Sequence, residues 1–225
     1  MKTIGDLLKP KTKKEIISSL ENTNLNPNTL LVKSSEIGFL PGIKKALEMG
    51  ANIHAKNDEA LRWASLNGYL HIVKFLFKNG ADIHAQNNEA LWWASVKGHL
   101  NIVKFFLKYG IADYDTVLQN ASLNGHLNVV KFIFKKDVNV HAKNDYALRT
   151  ASRYCHLDVV EFLLKNGADV HAKNDYALRF ASASTNNNLD VVELLLKNGA
   201  NVHVQNDYAL HYSHKNVVKL LRKYM

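Results

Sequence analysis

A single cysteine, Cys155, stands in 225 residues. That count excludes an intramolecular disulfide and any cysteine-based zinc cluster, and it fits a reducing compartment. Long apolar runs are missing too. Nothing approaches the roughly 18 consecutive apolar residues of a membrane-spanning helix, and the start MKTIGDLLKPKTKKEI holds no stretch of signal-peptide length. The expectation is a soluble protein of the cytoplasm. No glycine-rich phosphate loop and no H-E-x-x-H occurs, so the common phosphate and zinc-hydrolase chemistries have no foothold. The rest is ordinary in bulk, 47% hydrophobic and 22% charged, with a net charge of +9. A basic balance suits nucleic acid, an anionic surface or simply solvated lysines, and the placing of the lysines decides among them.

What is present is repetition. HAKNDYALR stands at 141–149 and again at 171–179, with near-copies HAKNDEALR at 54–62, HAQNNEALW at 84–92 and HVQNDYALH at 203–211. An active site needs one set of residues; five sets tile a structure. Aligning Ala60, Ala90, Val117, Ala147, Ala177 and Ala209 gives units 28–57, 58–87, 88–114, 115–144, 145–174 and 175–206, then a shortened seventh at 207–225. Residues 1–27 stand apart. Periods of this size mark solenoids.

Each unit reads helix, turn, helix, loop. In 58–87 the first helix is DEALRWASLN, with Asp58 as expected N-cap and Asn28, Asn88, Asp115, Asp145, Asp175 and Asp207 at equivalent positions. Gly68 supplies the turn, YLHIVKFLFKN the second helix, and Gly80 its C-terminal stop. Ile72, Val73, Phe75, Leu76 and Phe77 leave only positions such as Lys74 and Lys78 for water. Helices this short are marginal alone. So apolar a face must be sandwiched between neighbouring copies, at roughly 1.5–3 kcal/mol per fully buried large side chain. Lys45 and Arg222 replace apolar residues in the terminal copies, as end caps require.

The string A-x-x-G-[HY]-L-x-[IV]-V-x-x-L-L-x-x-G-A-[DN]-V, clearest in 58–87, 88–114 and 115–144, resembles the ankyrin repeat and covers residues 28–225. The resemblance implies an all-α solenoid of stacked helix-turn-helix units with short loops or β-turn tips. It also implies a non-enzymatic scaffold, with no cofactor and no metal, that binds a partner protein as a monomer. Family units run to about 33 residues and open with T-P-L-H. Here Y-A-L-R or E-A-L-R opens the helix, and the three missing residues lie just before it, so a shortened hairpin is expected and the family's Thr–His hydrogen bond is not carried over. This short NDYALR style resembles the expanded ankyrin-repeat families of giant DNA viruses that infect amoebae, which would place the protein in a host cytoplasm.

Several features invite chemistry. His54, His84, His141, His171 and His203 recur at one loop position. Layers about 8–10 Å apart cannot bring two of them to the about 2.0–2.1 Å bonds of zinc, so loop packing is expected. Cys155 beside His156 takes the place of a turn glycine and has no orienting third group, which reads as a replaced glycine under mild strain. Asp58–Arg62, Asp145–Arg149 and Asp175–Arg179 are spaced i, i+4. They read either as a charged recognition ladder or as helix-supporting pairs of about 0.3–0.5 kcal/mol, with the guanidinium also capping a loop carbonyl. Lys74, Lys104, Lys131 and Lys219, with Lys78, Lys108, Lys135, Lys165, Lys197 and Lys223, form a stripe on second helices, interrupted by Glu161 and Glu193. No aromatic is expected between them, hence no stacking platform for single strands. A solvated face is the main reading and a nucleic-acid or anionic-surface binder the alternative. In residues 1–27, KPKTKK at 9–14 is basic and KKEIISSLE reads as a short helix that caps the array or docks a partner.

Family contacts concentrate on loop tips and first helices, along the concave surface. Matching positions here are Glu59, Glu89, Tyr146, Tyr176 and Tyr208, then Leu66, Asn67, Val96, Lys97, Leu123, Asn124, Arg153 and Tyr154 at the helix ends. The three tyrosines read as a row of binding hot spots or as packing on neighbouring loops. Trp92 replaces the polar Arg62 and is expected to be partly exposed, as a candidate contact. Trp63, Trp93 and Phe180 share one position and are expected between layers. Two irregularities add individuality: the trimmed loop GIADYD and the two-residue insertion in ASASTNNNLD.

Overall fold

A computed structural model describes residues 26–136, 138–184 and 189–225. The expected helix near residues 13–21, the basic run at 9–14 and most of the ASASTNNNLD insertion lie outside the described residues. Among the described residues there are fourteen helices and no strand. First helices and second helices alternate. They are α1 (Pro27–Ile37) and α2 (Leu40–Glu48), α3 (Ala55–Leu66) and α4 (Leu70–Lys78), α5 (Ala85–Val96) and α6 (Leu100–Lys108). Then come α7 (Tyr114–Leu123) and α8 (Leu127–Phe134), α9 (Ala142–Arg153) and α10 (Leu157–Lys165). The last are α11 (Ala172–Ser182) and α12 (Leu189–Lys197), α13 (Val204–His211) and α14 (Lys215–Leu221).

The chain divides into two compact units, Met1–Ala94 and Ser95–Met225. In the first, α1 packs on α2 and α3, and α3 on α4. In the second, α7, α9, α11 and α13 form one row of successive neighbours, while α6, α8, α10, α12 and α14 form another. Each first helix also packs on the second helix that follows it. The residues responsible recur. Ile72, Val73 and Leu76 in α4 are fully buried, as are Val129, Val130 and Ile133 in α8 and Val159, Val160 and Leu163 in α10. First helices contribute small residues, such as Ala147 and Ala151 with Leu148, which lets the rows approach closely. Phe75 and Phe77 are only half-buried. Lys45 and Arg222, at the terminal copies, are exposed.

Second helices stop as the glycine predicts. The Ala81 N–H reaches the Leu76 carbonyl and the Gly80 N–H the Phe77 carbonyl, each at 3.0 Å, with Gly80 left-handed at φ 95. The turn between helices carries a second device. Nε2 of His126 lies 2.8 Å from the carbonyl oxygen of Val96, and Nε2 of His156 lies 2.9 Å from that of Leu123. Each ring lies across the turn glycine of the preceding copy: a Cβ on Gly98 or Gly125 would sit 2.5 Å from Nδ1 of His126 or His156. In the first unit the Tyr69 ring covers Gly38 in the same way, at 2.8 Å. The glycine is therefore needed twice, for its positive φ and for the space.

First helices start differently from expectation. Side-chain caps occur at Asn26, which accepts from the Asn28 N–H, and at Asp113, which accepts from Thr116. Asp58, Asp145, Asp175, Asp207 and Asn88 do not cap. Each ends a run of three consecutive left-handed residues: Lys56–Asp58, Gln86–Asn88, Lys143–Asp145, Lys173–Asp175 and Gln205–Asp207, with φ between 49 and 64. This left-handed turn takes the place of the expected shortened hairpin, because three fewer residues must reverse the chain. Asn and Asp visit that region at least cost, while most L-residues lose roughly 1–2 kcal/mol there. Cys155 shares the left-handed conformation of the turn glycines, at φ 62, which bears out its reading as a glycine replacement.

Gly125→Ala should cost about 2–3 kcal/mol in urea unfolding, from strained φ plus the displaced His156 bond. A Gly125→Ala/His156→Ala double variant should recover part of that loss. Cys155→Gly should stabilise by about 1 kcal/mol.

Candidate functional site

The left-handed turns orient the first-helix surface, and their own bonds come first. The Asp145 carboxylate, 4% exposed, accepts the Asp169 N–H from the loop that closes its copy at 2.8 Å and lies 3.1 Å from Nδ1 of His141. Asp58 does the same with the Asp82 N–H and His54, and Asp175 with the Asn201 N–H and His171. Asn28 accepts the Asn52 N–H at 2.7 Å. The recurrent histidines are thus loop-packing groups, each paired four residues on. Among the described residues no group of three or more His, Cys, Asp or Glu could hold a metal.

The arginines do not pair with the aspartates. Arg149 donates through Nε to the Asn144 carbonyl at 2.8 Å and through Nη2 to the Lys143 carbonyl at 3.0 Å. Arg179 repeats this on Asn174 and Lys173, and Arg62 donates to the Lys56 carbonyl. The i, i+4 ion pair does not form because the aspartate turns inward to the closing loop of its copy; the expected capping of loop carbonyls does. The guanidinium is left to bind carbonyls that a left-handed turn points outward.

In the second unit these guanidinium planes lie among aromatic rings. Arg149 stands 5.5 Å from the Tyr146 ring and 5.0 Å from Tyr176. Arg179 stands 5.8 Å from Tyr176, 5.7 Å from Phe180 and 5.5 Å from Tyr208. Tyr176 stacks on Phe180 at 4.0 Å, and Tyr208 lies 4.5 Å from Tyr212. Arg153 donates to the Tyr176 hydroxyl at 3.2 Å, which holds its guanidinium pKa above the usual value. Of the candidate residues, Tyr146, Arg153, Tyr154, Tyr176 and Tyr208 therefore share this surface. Arg149, Arg179 and Phe180 belong to it as well. Their signal was the recurring Arg four places after Asp, which has the same spacing as an ion pair.

In the first unit the inner residues are tryptophan and glutamate. Nε1 of Trp63 donates to Glu59 at 3.3 Å, Nε1 of Trp93 donates to Glu89 at 3.0 Å, and Arg62 bridges to Glu89 at 2.8 Å. With Leu66 they line a cleft of about 140 Å³. Trp63, Trp93 and Phe180 are half-buried and not core: the two indoles donate to Glu59 and Glu89, and Phe180 stacks on Tyr176 beside Arg153 and Arg179. Trp92 is 39% exposed, as its replacement of a polar residue suggested. Asn67 donates to the Glu36 and Trp63 carbonyls. Asn124 donates to the Asn120 carbonyl. Val96 and Leu123 have their carbonyls beside the histidines, and Lys97 is exposed.

The lysine stripe does interleave with aromatics, contrary to expectation. Nζ of Lys104 lies 5.2 Å from the Phe132 ring and that of Lys131 5.9 Å from Phe162. The half-buried phenylalanine of the next copy simply lies under the lysine stem. Lys165 and Lys197 pair with Glu161 and Glu193 at 2.7 Å, and these hydrogen bonds hold both carboxyls below their usual range.

The family description "Ankyrin repeats (3 copies)" matches residues 30–116 and 91–174, and "Ankyrin repeats (many copies)" matches 180–222. The chain belongs to the ankyrin-repeat family. The human ASB11 ankyrin repeat domain, a solved crystal structure, is similar in fold, with a TM-score of 0.74 at 24% identity over 87% of this chain and 97% of that one. No curated protein matches in sequence. Ankyrin repeats are generally protein–protein interaction modules without enzymatic activity, and this chain has their all-helical solenoid fold. Among the described residues no helix is long and apolar enough to cross a membrane.

Arg179→Gln should cost about 1–3 kcal/mol, because two carbonyls of a strained turn lose charge-assisted bonds. Arg179→Lys should recover little, having no planar fork. A loss of 0.5 kcal/mol or less would indicate an ordinary exposed ion pair instead.

Proposed function

We propose that this ankyrin array is a non-enzymatic scaffold that holds a partner protein on its first-helix surface, the concave one in the family. The observation that carries this is the row of rigid aromatic and guanidinium groups at the ends of first helices. Tyr154 is 50% exposed and Tyr212 64% exposed, beside Arg153 and the half-buried Tyr146, Tyr176 and Tyr208. Aromatics already held by neighbours present contact area at low entropic cost, the usual chemistry of hot spots. Trp92, Glu59, Glu89 and Asn67 are the corresponding candidates in the first unit, and Lys97 is a further one near the start of the second. The reading includes a monomer working in the cytoplasm, where Cys155 stays reduced. Its viral origin rests on the short NDYALR style alone.

The alternative, phosphate binding by the lysine stripe, has less support. Lys104 and Lys131 cover phenylalanine rings, and Lys165 and Lys197 are already paired with carboxylates. Affinity capture from an amoebal lysate separates the two. Tyr146→Ala/Tyr176→Ala should lose a specific partner by at least tenfold, and Lys104→Glu/Lys131→Glu/Lys135→Glu should keep it. The opposite pattern, with steep salt dependence, would move the function to the stripe.

A further inference from the structure

The Tyr–Arg surface of the second unit has a charge and a geometry that narrow its partner. Lys143, Arg149, Arg153, Lys173 and Arg179 all lie on α9 and α11. The acids of those helices, Asp145 and Asp175, are 4% and 3% exposed and already paired with histidines and backbone N–H groups. The exposed loop carboxylate of Asp169 accepts the His171 N–H, and on α13 Asp207, its side chain 40% exposed, pairs with His203 at 2.8 Å. Lys143 donates to Gln119 at 3.0 Å, and none of the five cations is opposed by a free acid on either helix.

Guanidinium groups already lie against the rings of Tyr146, Tyr176, Phe180 and Tyr208, which leaves Tyr154 and Tyr212 as the exposed aromatics of this surface. Arg149 lies between Tyr146 and Tyr176, and Arg179 among Tyr176, Phe180 and Tyr208. On those four rings a nucleobase would have to displace a guanidinium already anchored on two carbonyls. The carbonyls and the Tyr176 hydroxyl use Nε and Nη2 of Arg149 and Arg179 and Nη1 of Arg153, which leaves N–H groups of each guanidinium for a further acceptor. Planar edges of this kind match carboxylates.

We propose that α9, α11 and α13 form a docking surface for an acidic, extended segment of a partner protein, with carboxylates about three residues apart. The spacing follows from layers roughly 8–10 Å apart set against an extended chain that advances about 3.3 Å per residue. The inference rests on the protein-scaffold reading above and names the partner's chemistry.

The test uses the full chain and three fluorescein-labelled probes: a twelve-residue peptide with Glu at every third position, its Gln counterpart, and oligo(dT). Anisotropy should show the Glu peptide binding and the Gln peptide weaker by at least tenfold. Arg153→Gln/Lys173→Gln, which leaves both turn-holding arginines in place, should weaken the Glu peptide by at least fivefold with unchanged circular dichroism. Lys104→Glu/Lys131→Glu/Lys135→Glu should change it by less than twofold. An equal loss in both variants would reduce the effect to general basicity and overturn the proposal, as would oligo(dT) binding more tightly with the same Arg153 dependence. No peptide binding together with retained tyrosine-dependent capture would sink this inference alone; loss of both would sink the scaffold reading too.

Discussion

The structure depends on one buried carboxylate used again and again. In Asp145 and its equivalents the side chain leaves its own helix and accepts a backbone N–H from the loop that closes its own copy and leads into the next. The carboxylate is only 3–4% exposed, so losing the bond would leave a buried acceptor unpaired, at about 1–3 kcal/mol. It also fixes where the next loop begins, and through the loop the next pair of helices. Stacking of apolar second helices supplies most of the driving force for the array, whereas this carboxylate supplies its register.

The same bond accounts for the surface. A carboxylate committed inward cannot neutralise the arginine four residues later, so the arginine turns to the carbonyls of the left-handed turn. There its plane lies against the tyrosines of its own and the next copy. Charge that would have cancelled locally remains on the first-helix side of the second unit. Stability and binding character thus derive from one substitution of roles within HAKNDYALR. The first unit shows the contrast: Arg62 is met by Glu89, and the exposed group there is Trp92.

Much of this was legible in the residues. The repeat, the alternation of helices, the glycine stops, the buried Ile72, Val73 and Leu76 and the loop-packing histidines follow from period and hydropathy alone. The left-handed turns did not, because Asp before a helix reads as a cap, and only its bond to the closing loop shows that it is something else. The lysine–phenylalanine contacts were also hidden, since they join residues one copy apart on different helices. The tyrosines were named as a row, but two readings stood open for them. The i, i+4 spacing of the flanking arginines fits an ion pair and carbonyl capping alike, and only the capping forms.

Native-state hydrogen exchange at the amides of Asp82, Asp169 and Asn201 tests the central claim most directly. Each should be protected as strongly as helix-interior amides of its repeat, and in Asp145→Ala the Asp169 amide should exchange far faster while the Asp82 amide keeps its protection. Exchange of all three at the rate of exposed loops in the unaltered protein would contradict the account.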